Sequence, residues 1–175
     1  MRVERYVPKI YRKNIFDINY EALKRKGIKC IIFDLDNTIL VFDEKEIPPR
    51  TKKLLQKLKE EFKIIVMSNN FRSRILKTCK RLEVELVSFS LKPFKKGFKK
   101  IQDKYNYSKN EMCIIGDQLI TDILGGNNFG ILSILVDPIS QKDLKVTRIN
   151  RLLEQKLFKI LKEKKILERG KYYES

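Results

Sequence analysis

The stretch Ile31–Thr38, Ile-Ile-Phe-Asp-Leu-Asp-Asn-Thr, carries an apolar run straight into two carboxylates one residue apart. In an extended chain Asp34 and Asp36 point to the same side. Like charges at the end of a buried strand are costly unless a cation or a shared proton relieves them, so the pair implies a metal site or a catalytic dyad. The alternative is an acidic turn that begins after a strand. A second apolar run, Ile114–Asp122, Ile-Ile-Gly-Asp-Gln-Leu-Ile-Thr-Asp, also ends in a carboxylate, with Gly116 allowing a tight exit. Asp122 reads either as a further ligand or as an acid in the first turn of a helix. In open α/β sheets, ligands gather outside the carboxyl ends of strands where strand order reverses. Asp34, Asp117 and Asp122 meeting there would offer the hard oxygen ligands that magnesium prefers.

Two further pieces could complete such a site. The run Ile64–Met67 leads into Ser68, Asn69 and Asn70. These short hydrogen-bonding side chains stand at a helix entrance, where backbone amides and the helix dipole favour phosphate; read alone they are a plain helix cap. Lys92, before Pro93, offers a cation to a phosphoryl group, although 39 Lys and Arg residues make one lysine weak as a signal.

The elements that must position these residues are legible in outline. Cys30–Phe33, Ile64–Met67, Val84–Phe89 and Met112–Ile115 read as buried strands, with Ile131–Val136 as a fifth. Helical patterns fall between them over Thr51–Phe62, Ser73–Leu82 and Lys95–Tyr105. Alternation of this kind predicts an α/β fold with a parallel, doubly wound central sheet of about five strands. Residues 1–27 read as a short helix or an arm wrapped on the domain. From about Arg148 to Leu167, apolar residues recur at helical spacing among basic ones, the pattern of a docked surface helix or of one lying on a membrane; docking on the domain is the favoured reading.

Composition narrows the functional classes. A chain of 175 residues, 42% apolar, suits one domain. The 39 basic residues against 22 acidic ones leave a formal charge of +17, which attracts anionic partners or reflects a solubilising bias. With no histidine, serine triads using His and histidine-ligated zinc are excluded. Cys30, Cys79 and Cys113 lack CxxC spacing and read as reduced, buried and structural. Neither a signal segment nor an apolar run of membrane-spanning length is evident. A cytoplasmic protein, peripheral at the inner membrane face in one reading, is therefore expected.

In order, DxDxT at Asp34, Ser-Asn at Ser68, Lys-Pro at Lys92 and GDxxxxD at Gly116 closely resemble motifs I to IV of the haloacid dehalogenase (HAD) superfamily. That resemblance implies a three-layer Rossmann-like fold and magnesium-dependent phosphatase activity. It implies Asp34 as the nucleophile forming an aspartyl phosphate, and Asp36 as general acid and then base. Ser68, Asn69 and Lys92 would hold phosphoryl oxygens. Asp34, Asp117, Asp122 and the Asp36 backbone carbonyl would hold Mg2+, with Thr38 and Gly116 in support. The family often inserts cap domains, but Asp34 to Ser68 spans 34 residues and Ser68 to Lys92 only 24. Each interval is largely used by one helix and one strand, so one capless domain over 1–175 with an open site is expected.

The segments GIKCIIFDLDNT, GDQLITDILGGNNFG at Gly116–Gly130 and VTRINRLLE at Val146–Glu154 look like the YqeG-like branch, similar to mitochondrial phosphatidylglycerophosphatases. The implied substrate is phosphatidylglycerophosphate, an anionic phospholipid at the membrane surface. Each basic residue near such a leaflet can add about 1 kcal/mol of attraction. Arg148 and Arg151 are candidate substrate contacts, or ordinary helix surface residues. Rival readings are a phosphatase for a soluble sugar, nucleotide or nucleic-acid-end phosphate, and, as a second choice of partner, a nucleic acid bound by a non-catalytic RNA- or ribosome-associated module. A response-regulator receiver also gathers acids at strand ends, but needs neither Asp36 and Thr38 in this spacing nor Ser68.

Overall fold

The computed structural model describes residues 3–41, 44–70, 73–140 and 145–174, without the side chains of Arg74 and of residues 145–150. Its strands are β1 (Ile10–Arg12), β2 (Cys30–Asp34), β3 (Lys63–Met67), β4 (Glu85–Val87), β5 (Met112–Gly116), β6 (Leu132–Val136) and β7 (Tyr173–Glu174). The helices are α1 (Tyr20–Arg25), α2 (Pro49–Leu58), α3 (Ser73–Arg81), α4 (Lys96–Tyr105), α5 (Leu124–Phe129) and α6 (Lys145–Glu163). The sheet has seven strands in the order β4-β3-β2-β5-β6-β1-β7, not about five. Every pairing is parallel except the antiparallel β1–β7 edge.

The five expected strands are β2 to β6, contiguous from the β4 edge of the sheet. The two additional strands come from the N-terminal arm and the C-terminal tail, and they are three and two residues long. β1 becomes a strand by pairing with the edge of β6, and β7 by pairing with β1. The arm also forms 3-10 turns at Val3–Tyr6 and Ile15–Asp17, and helix α1 capped by the Asn19 side chain on the Ala22 amide at 2.9 Å. It is thus part of the domain.

Alternation along the strands builds three layers. Ile31 and Phe33 of β2 face one way, packing with Leu23, Leu55, Leu58, Ile75 and Cys79 from α1, α2 and α3. Cys30 and Ile32 face the other way, toward Phe98 and Ile101 of α4 and Phe129 at the end of α5. All three cysteines are buried. Among the described residues, α2 and β3 lie between Asp34 and Ser68, and α3 and β4 between Ser68 and Lys92.

Helix α6 docks on the domain, with Leu157 and Leu161 buried against Tyr11, Leu119, Ile123 and Leu135. It ends at Glu163, short of the expected Leu167, because Lys165 turns into the left-handed region (φ 57°). That turn folds Leu167 back beneath the helix and sends the chain to β7.

Candidate active site

β2 ends at Asp34, so strand alternation does not extend to Asp36. The chain turns over 36–40, with Asn37 in the left-handed region (φ 63°), which Asn tolerates better than most residues. The Asn37 amide donates to the Leu40 carbonyl at 2.6 Å, and its own carbonyl accepts from Ile139 at 2.9 Å. Asp36 sits half-buried in this turn, and its charge is one of those that push the Asp34 carboxyl upward. The Thr38 hydroxyl lies 3.4 Å from Asp117 Oδ1, tying the turn to the end of β5.

β5 ends at Gly116 and is followed at once by Asp117. A Cβ at Gly116 would stand 2.3 Å from the Asp122 carboxyl group. The glycine therefore does more than permit an exit; it makes the space that the second acid fills. Residues Leu119–Ile123 form a wide π turn that carries Asp122 back over the strand end, where its Oδ2 accepts from the Gln118 amide at 3.1 Å. Asp34, Asp117 and Asp122, all buried, thus have carboxylate oxygens within 4.8 Å of one another.

Lys92 enters from the β4–α4 connection. Its ammonium lies 2.7 Å from Asp122 Oδ1, bonds Asp34 Oδ1, and reaches the Met67 carbonyl at 3.4 Å. Burial alone would depress the lysine, but the Asp122 and Asp34 carboxylates hold it above the usual range. Burial pushes Asp34 well above the ordinary carboxylate range, Lys92 opposes the rise, and Asp122, Asp117 and Asp36 add to it.

The Ser-Asn segment divides its work. Ser68, almost fully buried beyond the end of β3, accepts from the Asn70 amide at 3.1 Å through Oγ. Asn69 Oδ1 accepts from the Lys92 amide at 2.7 Å and from the Ser90 hydroxyl at 2.8 Å, while Nδ2 donates to the Lys92 carbonyl at 2.9 Å. Its amide group thus grips the backbone that presents Lys92.

Helix α6 also enters the site. Arg151 Nη2 bonds Asp117 Oδ2, and Nη1 donates to Glu154 Oε2 at 3.1 Å. Glu154, itself buried, accepts from the Leu119 amide and from that of Ile120 at 3.4 Å, so it also holds the π turn. Burial pushes the Glu154 carboxyl up to about 7, opposed by Arg151 and assisted by Asp117. The Arg148 side chain lies outside the described residues. Neither Glu154 nor the bracketing role of Asn69 was anticipated. One signal for Glu154 existed, since it is the sole acidic residue between Lys145 and Lys162, three positions after Arg151.

Three buried carboxylates converging on one point fit a small, oxygen-seeking divalent cation, because two nearby side-chain cations leave the acids under-neutralised. The family described as mitochondrial PGP phosphatase matches residues 2–140. The probable phosphatase YqeG of Bacillus subtilis is 36% identical over 160 residues, covering 91% of this chain and 93% of its own. Phosphatidylglycerophosphate phosphatase 1 of Arabidopsis thaliana is 29% identical over 164 residues, covering 87% of this chain and 47% of its own. The chain spans about half the length of that relative and of its Chlamydomonas reinhardtii counterpart, covered to 54%. A HAD family enzyme of Bacteroides thetaiotaomicron, solved as a magnesium complex, superposes with a TM-score of 0.51 at 16% identity, covering 70% of this chain and 98% of that one. A Listeria monocytogenes protein gives a TM-score of 0.50 at 17% identity over 75% and 99% of the chains. These superpositions show the shared fold.

Proposed function

Because the chain belongs to the mitochondrial PGP phosphatase family, among the HAD-type phosphatases, we propose that it is a magnesium-dependent phosphomonoester hydrolase that removes the terminal phosphate of phosphatidylglycerophosphate. The observation that carries the reading is the convergence of Asp34, Asp117 and Asp122 around the Lys92 ammonium at the carboxyl end of the sheet. Asp34, Asp117 and Asp122 would hold Mg2+, with the Asp36 carbonyl as a further oxygen. When bound, the ion supplies charge neutralisation to the phosphoryl oxygens.

In the proposed reaction an Asp34 carboxylate oxygen attacks phosphorus, the bond to the lipid oxygen breaks, and Asp36 gives that oxygen a proton. Asp36 then takes a proton from water, whose oxygen attacks the aspartyl phosphate, releasing inorganic phosphate and restoring Asp34. Lys92 and Ser68 hold the non-bridging oxygens. Asn69 serves by fixing the Lys92 backbone rather than by touching phosphate. Lys92 also opposes the rise that burial imposes on the Asp34 carboxyl, favouring the ionised form that a nucleophile requires.

Phosphate release from phosphatidylglycerophosphate in mixed micelles, with and without Mg2+ and beside soluble phosphoesters, tests the reading. A lipid preference that disappears in Asp34→Asn supports it. Activity on soluble esters alone keeps the phosphatase and rejects the lipid, and no Mg2+-dependent activity rejects both. In Asp36→Asn, turnover should fall about 10²–10⁴-fold, the range for loss of an acid-base group, with phosphorylated protein accumulating in rapid-quench experiments. A normal rate would remove Asp36 from its role.

A further inference from the structure

Most of the large apolar side chains that the fold leaves exposed lie in segments that carry or bond residues of this site. Phe89, Leu91, Phe94, Ile139, Leu152 and Leu153 are each at least 50% exposed, and the other two among the described residues, Ile166 and Tyr172, belong to the C-terminal tail. Leu91 and Phe94 flank Lys92, whose ammonium meets Asp34 and Asp122. Ile139 donates its amide to Asn37, beside Asp36. Leu152 follows Arg151, which pairs with Asp117. Three separate segments that meet at one acidic centre thus each carry exposed apolar side chains.

The β4–α4 connection shows how the display arises. Phe89 and Leu91 adopt left-handed backbone (φ 52° and 57°), an unfavourable conformation for bulky residues. Ser90 and Lys92 are buried while Phe89 and Leu91 stand out. Inward anchoring of Lys92 and outward presentation of the apolar side chains thus belong to one constrained loop. On the α6 side, Leu153 borders an apolar hollow of about 280 Å³ shared with Tyr6, Ile120, Leu157 and Ile160. Ile120 belongs to the same turn, between Asp117 and Asp122, that carries Asp122 to the site.

Charge specifies the occupant. Between Phe89 and Gln102 there is no acidic residue, and Lys95, Lys96, Lys99 and Lys100 are exposed. Between Lys145 and Lys162 the sole acid, Glu154, is buried, whereas Lys156 and Lys159 are exposed. Lys99 pairs with Asp103 at 2.7 Å, but lysines outnumber acids around these apolar side chains, which suits a surface that is anionic outside and apolar beneath.

We propose that this rim is a docking surface for a lipid bilayer bearing anionic headgroups, seating the open catalytic site directly over the membrane. The proposal rests on the lipid reading of the site for its purpose, but its test needs no turnover. Cosedimentation with vesicles of phosphatidylglycerol and phosphatidylcholine should show binding by the parent protein and by Asp34→Asn. The combined variant Leu91→Ser, Phe94→Ser, Leu152→Ser should bind about tenfold or more weakly, as loss of buried apolar area requires, with soluble phosphoester turnover unchanged. Phe94→Ser alone, at a highly exposed position, should show a smaller loss in the same direction. Unchanged vesicle binding in both variants overturns the proposal. So does a parent dimer that the combined variant converts to a monomer, since the rim would then seat a second copy. Lipid hydrolysis without rim dependence leaves the phosphatase standing and removes the docking surface; rim-dependent binding without hydrolysis does the reverse.

Discussion

β2 and β5 are neighbours along their whole length, and their two ends treat the same kind of charge pair in opposite ways. At the amino ends the Lys29 ammonium pairs with Glu111 at 2.5 Å in an exposed position, and the lysine's hydrogen bond, with that of the Ser108 amide, pulls the Glu111 carboxyl down to about 2. At the carboxyl ends Lys92 pairs with Asp34 out of solvent, yet burial wins and the Asp34 carboxyl rises. Opposite charges in contact do not by themselves define a site. Removal from water makes their imbalance costly and leaves room for a further cation.

Four measurements break or sharpen that contrast. The largest effect should come from Asp34→Asn: turnover should fall by about 10³-fold or more, as for removal of a nucleophile, with the circular dichroism spectrum retained. Next, Arg151→Met at the same end should lower turnover about 10–100-fold, the range for partners that orient metal-binding side chains. A Mg2+ titration at saturating substrate would measure it, and Arg151→Lys should recover only part, because a lysine cannot span Asp117 and Glu154 with a planar fork. An unchanged titration would make the helix contact purely structural.

A smaller effect concerns pH. In chelator-treated protein, Glu154 keeps a proton that the unfolded chain releases, so its contribution to stability should fall as pH rises from about 4.5 toward 7, and the raised Asp34 carboxyl acts in the same direction. Glu111 has the opposite sign: its contribution is present above about 4.5 and is lost as pH falls toward 2. Thermal melts across this range should show the decline, and Glu154→Gln should flatten it. An identical slope in the variant would remove Glu154 as a contributor. The smallest effect is Lys29→Ala, expected to leave the melting temperature and the turnover unchanged, as befits an exposed pair.

Strands β2 to β6 and helices α2, α3 and α4 were legible because each falls within a longer apolar or periodic run, whereas α5, six residues rich in Gly and Asn, was not foreseen. β1 and β7 were not legible, since their strand character exists only through pairing, β1 on β6 and β7 on β1. Asp34, Asp117 and Asp122 were legible as acids following apolar runs, a local pattern that needs no long-range information. The part played by α6 was only half visible. Its apolar stripe was readable from spacing, while the reach of Arg151 to Asp117 and of Glu154 to the π turn required knowing how the helix crosses the sheet.

The sequence by itself determined which residues have chemistry to offer and on which strand ends they stand, because side-chain type and local periodicity are properties of short segments. Only the tertiary structure decided that Asp122 folds back over Gly116, that Asn69 grips the Lys92 backbone, and that Leu91, Phe94, Ile139 and Leu152 stay exposed. Those relations join residues far apart in the chain, and such contacts arise only when the layers pack and burial selects which polar groups must satisfy one another.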